Sequence, residues 1–274
     1  QESGRFAMHF LKSDIRMADY WGCRGFDITI DNNLNANATF DTYTTALEGT
    51  NDDNAVNNII NGTDTITLKG AFSAGISLAD IPATSSADLK VTANNDLEQF
   101  DLVLLSDCVD GDLFQITNIN GSGVNIVHNT GIGTPGNSEK PLRKAYGTDA
   151  QIFKLNFVTY SIQQGASGRN ALFRSTNGGA AQELVENIEN MQILYGEDTD
   201  SDGAANYYKP SDSAGLNMDN VVSVRISLVV VTLDDNVTEQ ANPYTLFGGA
   251  TITPTDRRIR RVFTSTIVIR NRLP

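Results

Sequence analysis

The sequence predicts an α+β protein, with one amphipathic helix at its N-terminus and a β-sheet domain with long loops after it. Two observations carry that expectation. Residues 1–21 place apolar side chains at spacings of three and four with no proline. After Gly22 the apolar residues fall into short β-branched runs broken by Asn, Gly and Asp. A third observation is that 40% hydrophobic residues in a chain of 274 is ordinary for a polypeptide that folds around a core. Disorder is thereby excluded, and the length suits one large β-rich domain or two small ones.

In the helix, Phe6, Phe10, Met17 and Trp21 form one stripe, Ala7, Leu11, Ile15 and Ala18 a second beside it, and Glu2, Lys12, Asp14 and Asp19 lie elsewhere. Ser3 is followed by Gly4 rather than by a regular helical turn, so the helix is expected to begin upstream of Gln1. A chain that opens on Gln1 rather than Met is expected to be a processed or trimmed product. Gly22, Cys23, Arg24 and Gly25 stop the helix, which divides the chain into a helical segment, 1–22, and a β-rich domain, 23–274. Strands are expected over 64–72, 101–106, 113–119, 124–128, 152–162, 171–174, 191–195, 221–232 and 261–269. Residues 152–162 alternate imperfectly, as a strand covered on both faces does. Residues 176–179 make a turn, and 182–190 are a short helix or an extended connector. Residues 31–63 and 120–150 are rich in loop-forming Asn, Gly and Asp.

The formal net charge is -13, yet residues 257–274 hold Arg257, Arg258, Arg260, Arg261, Arg270 and Arg272 and no acid, so the remainder is more acidic still. Such a body repels nucleic acid and anionic membrane. No run approaches the ~18 to 20 apolar residues of a membrane span. The arginines are expected to meet the domain's own acids or a partner's acidic face; apart from Phe263 there is no aromatic interleaving for stacked bases.

No catalytic constellation stands out. His9 and His128 have no motif around them, and no G-x-S-x-G elbow presents a nucleophile. The neighbours Asp52 and Asp53, and Asp234 and Asp235, would point to opposite faces of a strand. Gly131, Gly133 and Gly136 satisfy G-x-G-x-x-G, but Pro135 cannot open the helix that a dinucleotide needs. The expectation is a protein that is not an enzyme, with no small-molecule substrate and no nucleic-acid partner.

The sharpest local motif is the run from Asp198 to Asn206, DTDSDGAAN. Carboxylates at alternate positions converge when the chain curls round a cation, and glycine in sixth place permits the sharp turn. Asp198, Asp200 and Asp202 would offer side-chain oxygens to calcium, Ala204 its carbonyl, and Asn206 its side chain. The twelfth position is Lys209, which cannot supply the bidentate carboxylate, so the missing oxygens would come from Asp212, Glu197 or a remote loop. The competing reading is a solvated acidic turn between Tyr195 and Tyr207. Cys23 and Cys108 form a disulfide in an exported protein, stabilising by about 4 to 5 kcal/mol in the chain-entropy model, or stay as buried thiols in a reducing compartment.

Several segments together resemble the PilW-type minor pilins of bacterial type IV pili: RMADYWGC, LLSDCVDGDLFQIT, the stretch from Leu172 to Gly203, VVSVRISLVVV, and PTDRRIRRVFTSTIVIRNRLP. The resemblance implies a pilin-like fold, a helix packed on a mainly antiparallel sheet. It also implies a prepilin whose apolar N-terminal helix anchors it in the inner membrane, with a periplasmic ectodomain that later sits at the extracellular pilus tip. The implied role is to prime pilus assembly, within a tip complex of other minor pilins and a tip adhesin, together with the inner-membrane assembly machinery. Cys23 and Cys108 fall where the family carries cysteines, and the Asp198 loop where it tends to carry an aspartate-rich segment.

Two further readings remain beside that one: a minor pseudopilin of type II secretion, and a calcium-stabilised adhesive module whose loops hold a surface ligand. A calcium-stabilised hydrolase is the weakest, for want of histidine and nucleophile motifs.

Overall fold

A computed structural model describes the chain except residues 23–28, 37–44, 53–57, 72, 248 and 274. It contains a helix α1 (Glu2–Met17) and the strands β1 (Thr29–Asn32), β2 (Leu47–Thr50), β3 (Thr65–Gly70), β4 (Ile76–Ser77), β5 (Leu89–Lys90), β6 (Leu102–Ser106), β7 (Asp110–Gln115), β8 (Asn118–Asn120), β9 (Asn125–Val127) and β10 (Gln151–Lys154). There follow β11 (Asn156–Gln164), β12 (Asn170–Thr176), β13 (Gln182–Glu186), β14 (Ile188–Glu197), β15 (Tyr207–Lys209), β16 (Val221–Val231), β17 (Tyr244–Thr245), β18 (Thr251–Ile252) and β19 (Arg260–Val268). The fold is α+β, with one N-terminal helix and mostly antiparallel sheets; β1 and β7 pair in parallel. No helix among the described residues is long and apolar enough to cross a membrane.

Two compact units result. The first comprises Gln1–Ala18, Thr45–Leu68 and Phe157–Pro274. Its sheets run β15-β14-β16-β19 and β13-β12-β11-β3-β2. β16 is the centre of the four-stranded sheet: VVSVRISLVVV is an almost unbroken apolar run because both of its edges are paired and both faces largely covered. α1 packs on this unit through Ala7, Met8, Leu11 and Ile15. Of the two expected stripes, the second is therefore the core-facing one, while Phe6 (53% exposed) and Met17 (39%) of the first face outward. Gly4 lies inside the helix; a Cβ there would come within 2.4 Å of the Phe263 ring, so glycine is what lets β19 approach the helix backbone. The helix ends at Met17, and Asp19 has a φ of 62.

The second unit comprises Asp19–Thr44 and Lys69–Asn156. It holds the sheet β1-β7-β6-β10-β4 and the small sheet β5-β9-β8. Val103, Leu105, Phe114, Ile116, Tyr146 and Ile152 are among its core residues.

The strand expected over 152–162 is broken at Leu155, whose amide donates to the Leu102 carbonyl at 2.8 Å. Its halves, β10 and β11, join different sheets. The expected 113–119 strand likewise divides between β7 and β8. Residues 182–190, ambiguous in sequence, are extended: β13 passes through Asn187, with a φ of 65, into β14.

Candidate metal centre

β14 and β15 pair antiparallel, with Glu197 opposite Tyr207, and this pins both ends of the loop that carries Asp198 to Asn206. The backbone closes it further: Asn206 N donates to the Glu197 carbonyl at 2.9 Å, and Asp198 N to the Asn220 carbonyl at 3.0 Å. Gly203, with a φ of 84, adopts the left-handed conformation that makes the sharp turn expected in sixth place.

The structure brings Asp198, Asp200 and Asp202 together, with one carboxylate oxygen of each within 4.8 Å of the others. Asp198 is buried; Asp200 and Asp202 are exposed. One oxygen of Asp198 accepts from the amides of Ser201 at 2.7 Å and Asp200 at 3.2 Å, and the other from Gly203 at 2.7 Å. Burial acts against its charge, but these amides outweigh it and hold its carboxyl below the ordinary range. The Ala204 amide donates to Asp202 Oδ1 at 2.8 Å.

Asn206 lies at the cluster with its polar atoms engaged. Its Oδ1 accepts from Thr199 N at 2.7 Å, and its Nδ2 donates to Asp200 at 3.3 Å. Lys209 sits 4.2 Å from the centroid of the Tyr207 ring, a cation-π contact rather than a ligand position. Glu197 accepts the Tyr207 hydroxyl, and Asp212 accepts from Asn51 Nδ2 at 3.3 Å. Neither joins the group of three. The donors are all carboxylate oxygens, the set that suits a hard cation, and an ionised carboxylate accepting amides keeps further lone pairs free.

Cys108 lies on a tightly held turn in the second unit. Its amide donates to Ser106 Oγ at 3.1 Å, and the Asp107 carboxylate accepts the amides of Val109 and Asp110 and lies 2.6 Å from Lys144 Nζ. Burial works to raise the Asp107 carboxyl, and the Asp110 amide with Lys144 brings it below its ordinary range. Cys23 lies outside the described residues. No free cysteine occurs among the described residues.

His128 is buried, its Nε2 3.0 Å from the Ala87 carbonyl, and burial lowers its affinity for a proton. Gly131 to Gly136 form a loop that opens no helix. The arginine-rich run does meet the chain's own acids: Arg260 lies 2.8 Å from Glu189 and 2.5 Å from Asp256. Hydrogen bonding from Arg260 is the main cause that lowers the Asp256 carboxyl to about 2.

One buried acid had no signature in the sequence. Asp64 accepts from Ile193 N at 2.6 Å and Asp52 N at 3.0 Å. The hydroxyl of Tyr195 is buried with no hydrogen-bond partner among the described residues. In the sequence Asp64 only opens the strand expected over 64–72, and Tyr195 only closes the one expected over 191–195, so neither position marks the other.

No curated protein and no solved structure matches the chain. The family model PilW, described as type IV pilus-assembly protein W, matches residues 159–271, which include β12 to β16, the aspartate loop and β19. Over that stretch, which is less than half of the chain, the sequence is similar to type IV pilus-assembly protein W.

Proposed function

We propose that this protein is a minor pilin that primes type IV pilus assembly and forms part of a tip complex with other minor pilins and a tip adhesin. The observation that carries the reading is the PilW match over residues 159–271, in the unit where α1 packs against the sheet. The pilin-like fold, the inner-membrane anchor, the periplasmic ectodomain and the place at the pilus tip all belong to this proposal. So does a role without catalysis. Co-expression with the minor pilins of the organism that encodes it tests the proposal: the full-length protein should co-purify with them, and its deletion should reduce surface pili. Co-purification instead with type II secretion components alone would favour the pseudopilin reading.

We infer further that Asp198, Asp200 and Asp202 hold calcium and that Cys23 and Cys108 form a disulfide. Calcium would neutralise three clustered carboxylates and fix the loop between β14 and β15. A ligand bound only by the folded state stabilises it by about 2.7 kcal/mol at a hundred times its Kd. Millimolar calcium should raise Tm, a chelator should reverse the rise, and Asp200→Ala should abolish the difference. An unchanged Tm leaves a solvated acidic turn.

A further inference from the structure

β19 is the terminal strand of its sheet and, at nine residues, long for an edge. The bonds at its two ends set the direction of every peptide group along it. Ile269 N donates to the Val222 carbonyl and Thr232 N to the Ile259 carbonyl, so the odd-numbered residues of the strand turn their amides and carbonyls towards β16. Those of Arg260, Val262, Thr264, Thr266 and Val268 point away from the sheet. The outward amide of Arg260 is taken by Asn242 Oδ1 at 2.8 Å. From Val262 to Val268 the outward groups meet no partner among the described residues.

An unprotected edge is a template for another strand, and folded proteins usually blunt it with charge, proline, a bulge or brevity. Other edges of this unit follow that rule: β15 is three residues long, and β13 carries Glu183 and Glu186. The segment VFTSTIV does not. It has no charge, no proline and no glycine over seven residues, and its pairing with β16 is regular throughout. Arg261 and Arg270 flank it, both exposed and without an ion-pair partner among the described residues, in a chain of net charge -13.

We propose that the outer edge of β19 is a strand-docking site for an extended segment of another protein, with an uncharged β-branched centre and acidic residues at its ends. Main-chain hydrogen bonds to the even-numbered residues would give affinity, and Arg261 and Arg270 would select for acidic flanks. A second copy of this chain is the poorer occupant. Antiparallel pairing centred on Ser265 would set Arg260 and Arg261 of one copy beside Arg270 of the other, and like charges opposite each other destabilise a ladder. The proposal holds whether or not the protein acts in a pilus.

The test is amide hydrogen exchange with a synthetic peptide, Asp-Glu-Thr-Val-Thr-Val-Thr-Glu-Asp, beside a counterpart whose acids are replaced by lysine. The acidic peptide should protect the amides of Val262, Thr264, Thr266 and Val268, and leave those of Phe263, Ser265 and Ile267, already bonded to β16, unchanged. Thr266→Pro removes one outward amide that the β16 ladder does not use, and should abolish protection while the fold is kept. The double charge reversal Arg261→Glu with Arg270→Glu, at exposed positions, should weaken the acidic peptide roughly tenfold and favour the lysine one. Equal protection by both peptides, or none, overturns the proposal. Protection that rises with protein concentration alone overturns it in favour of self-pairing.

Discussion

Asp64 receives the amides of Ile193 and Asp52, yet burial, the largest cause, raises its carboxyl to about 6. Between the ordinary carboxylate range and about 6, the folded chain keeps a proton that the unfolded chain has lost. Protonation therefore favours the fold, and this contribution is present at about pH 4 and lost as the pH rises through about 6. The full shift corresponds to about 3 kcal/mol. Asp64→Asn should flatten that part of the stability-pH curve relative to the parent, measured by urea unfolding between pH 4 and 7; parallel curves would refute the assignment. Asp256 behaves oppositely. Its lowered carboxyl stabilises above the ordinary carboxylate range, and that contribution fades as the pH falls towards about 2. The aspartate triplet was legible in the sequence because its members are two residues apart and the glycine after them forces the turn. Asp64 was not, because its partner Ile193 lies 129 positions away.

Among the elements, α1 and β19 depend on one another at Gly4 and Phe263. Glycine inside a helix costs about 1 kcal/mol relative to alanine, and here it admits an aromatic ring against the backbone. Gly4→Val should destabilise by about 1 to 3 kcal/mol, because the ring must be displaced. Phe263→Leu should recover part of that loss in a double-mutant cycle, and additive losses would show that the two do not meet. Helical periodicity identified α1 but not which of its two adjacent stripes faces the sheet; Gly4 and the small residues settle it by permitting close approach. The mixed pattern over 152–162 signalled two covered faces, and the bend at Leu155 that sends β10 and β11 to different sheets leaves no local mark beyond that impurity. Residues 182–190 had no clear period because β13 and β14 join through Asn187 in a left-handed conformation.

At the scale of the chain, a net charge of -13 and an isoelectric point near 4.5 oppose self-association at neutral pH. They leave the exposed arginines around β19 as the places where an acidic partner could approach. The proposed bridge between Cys23 and Cys108 is tested by thiol labelling of unreduced, periplasmically expressed protein. Neither cysteine should react before reduction, the reduced protein should unfold about 4 to 5 kcal/mol more easily in the chain-entropy limit, and two labelled thiols in the unreduced sample would refute the bridge. The sequence by itself determined the helix, most of the long strands and the aspartate loop, since each is written in spacings of a few residues. Only the tertiary structure decided how the strands divide among sheets, that Asp64 is buried, and that the outer edge of β19 is unpaired among the described residues. These follow from hydrogen bonds and burial between segments far apart in the chain, which no local period encodes.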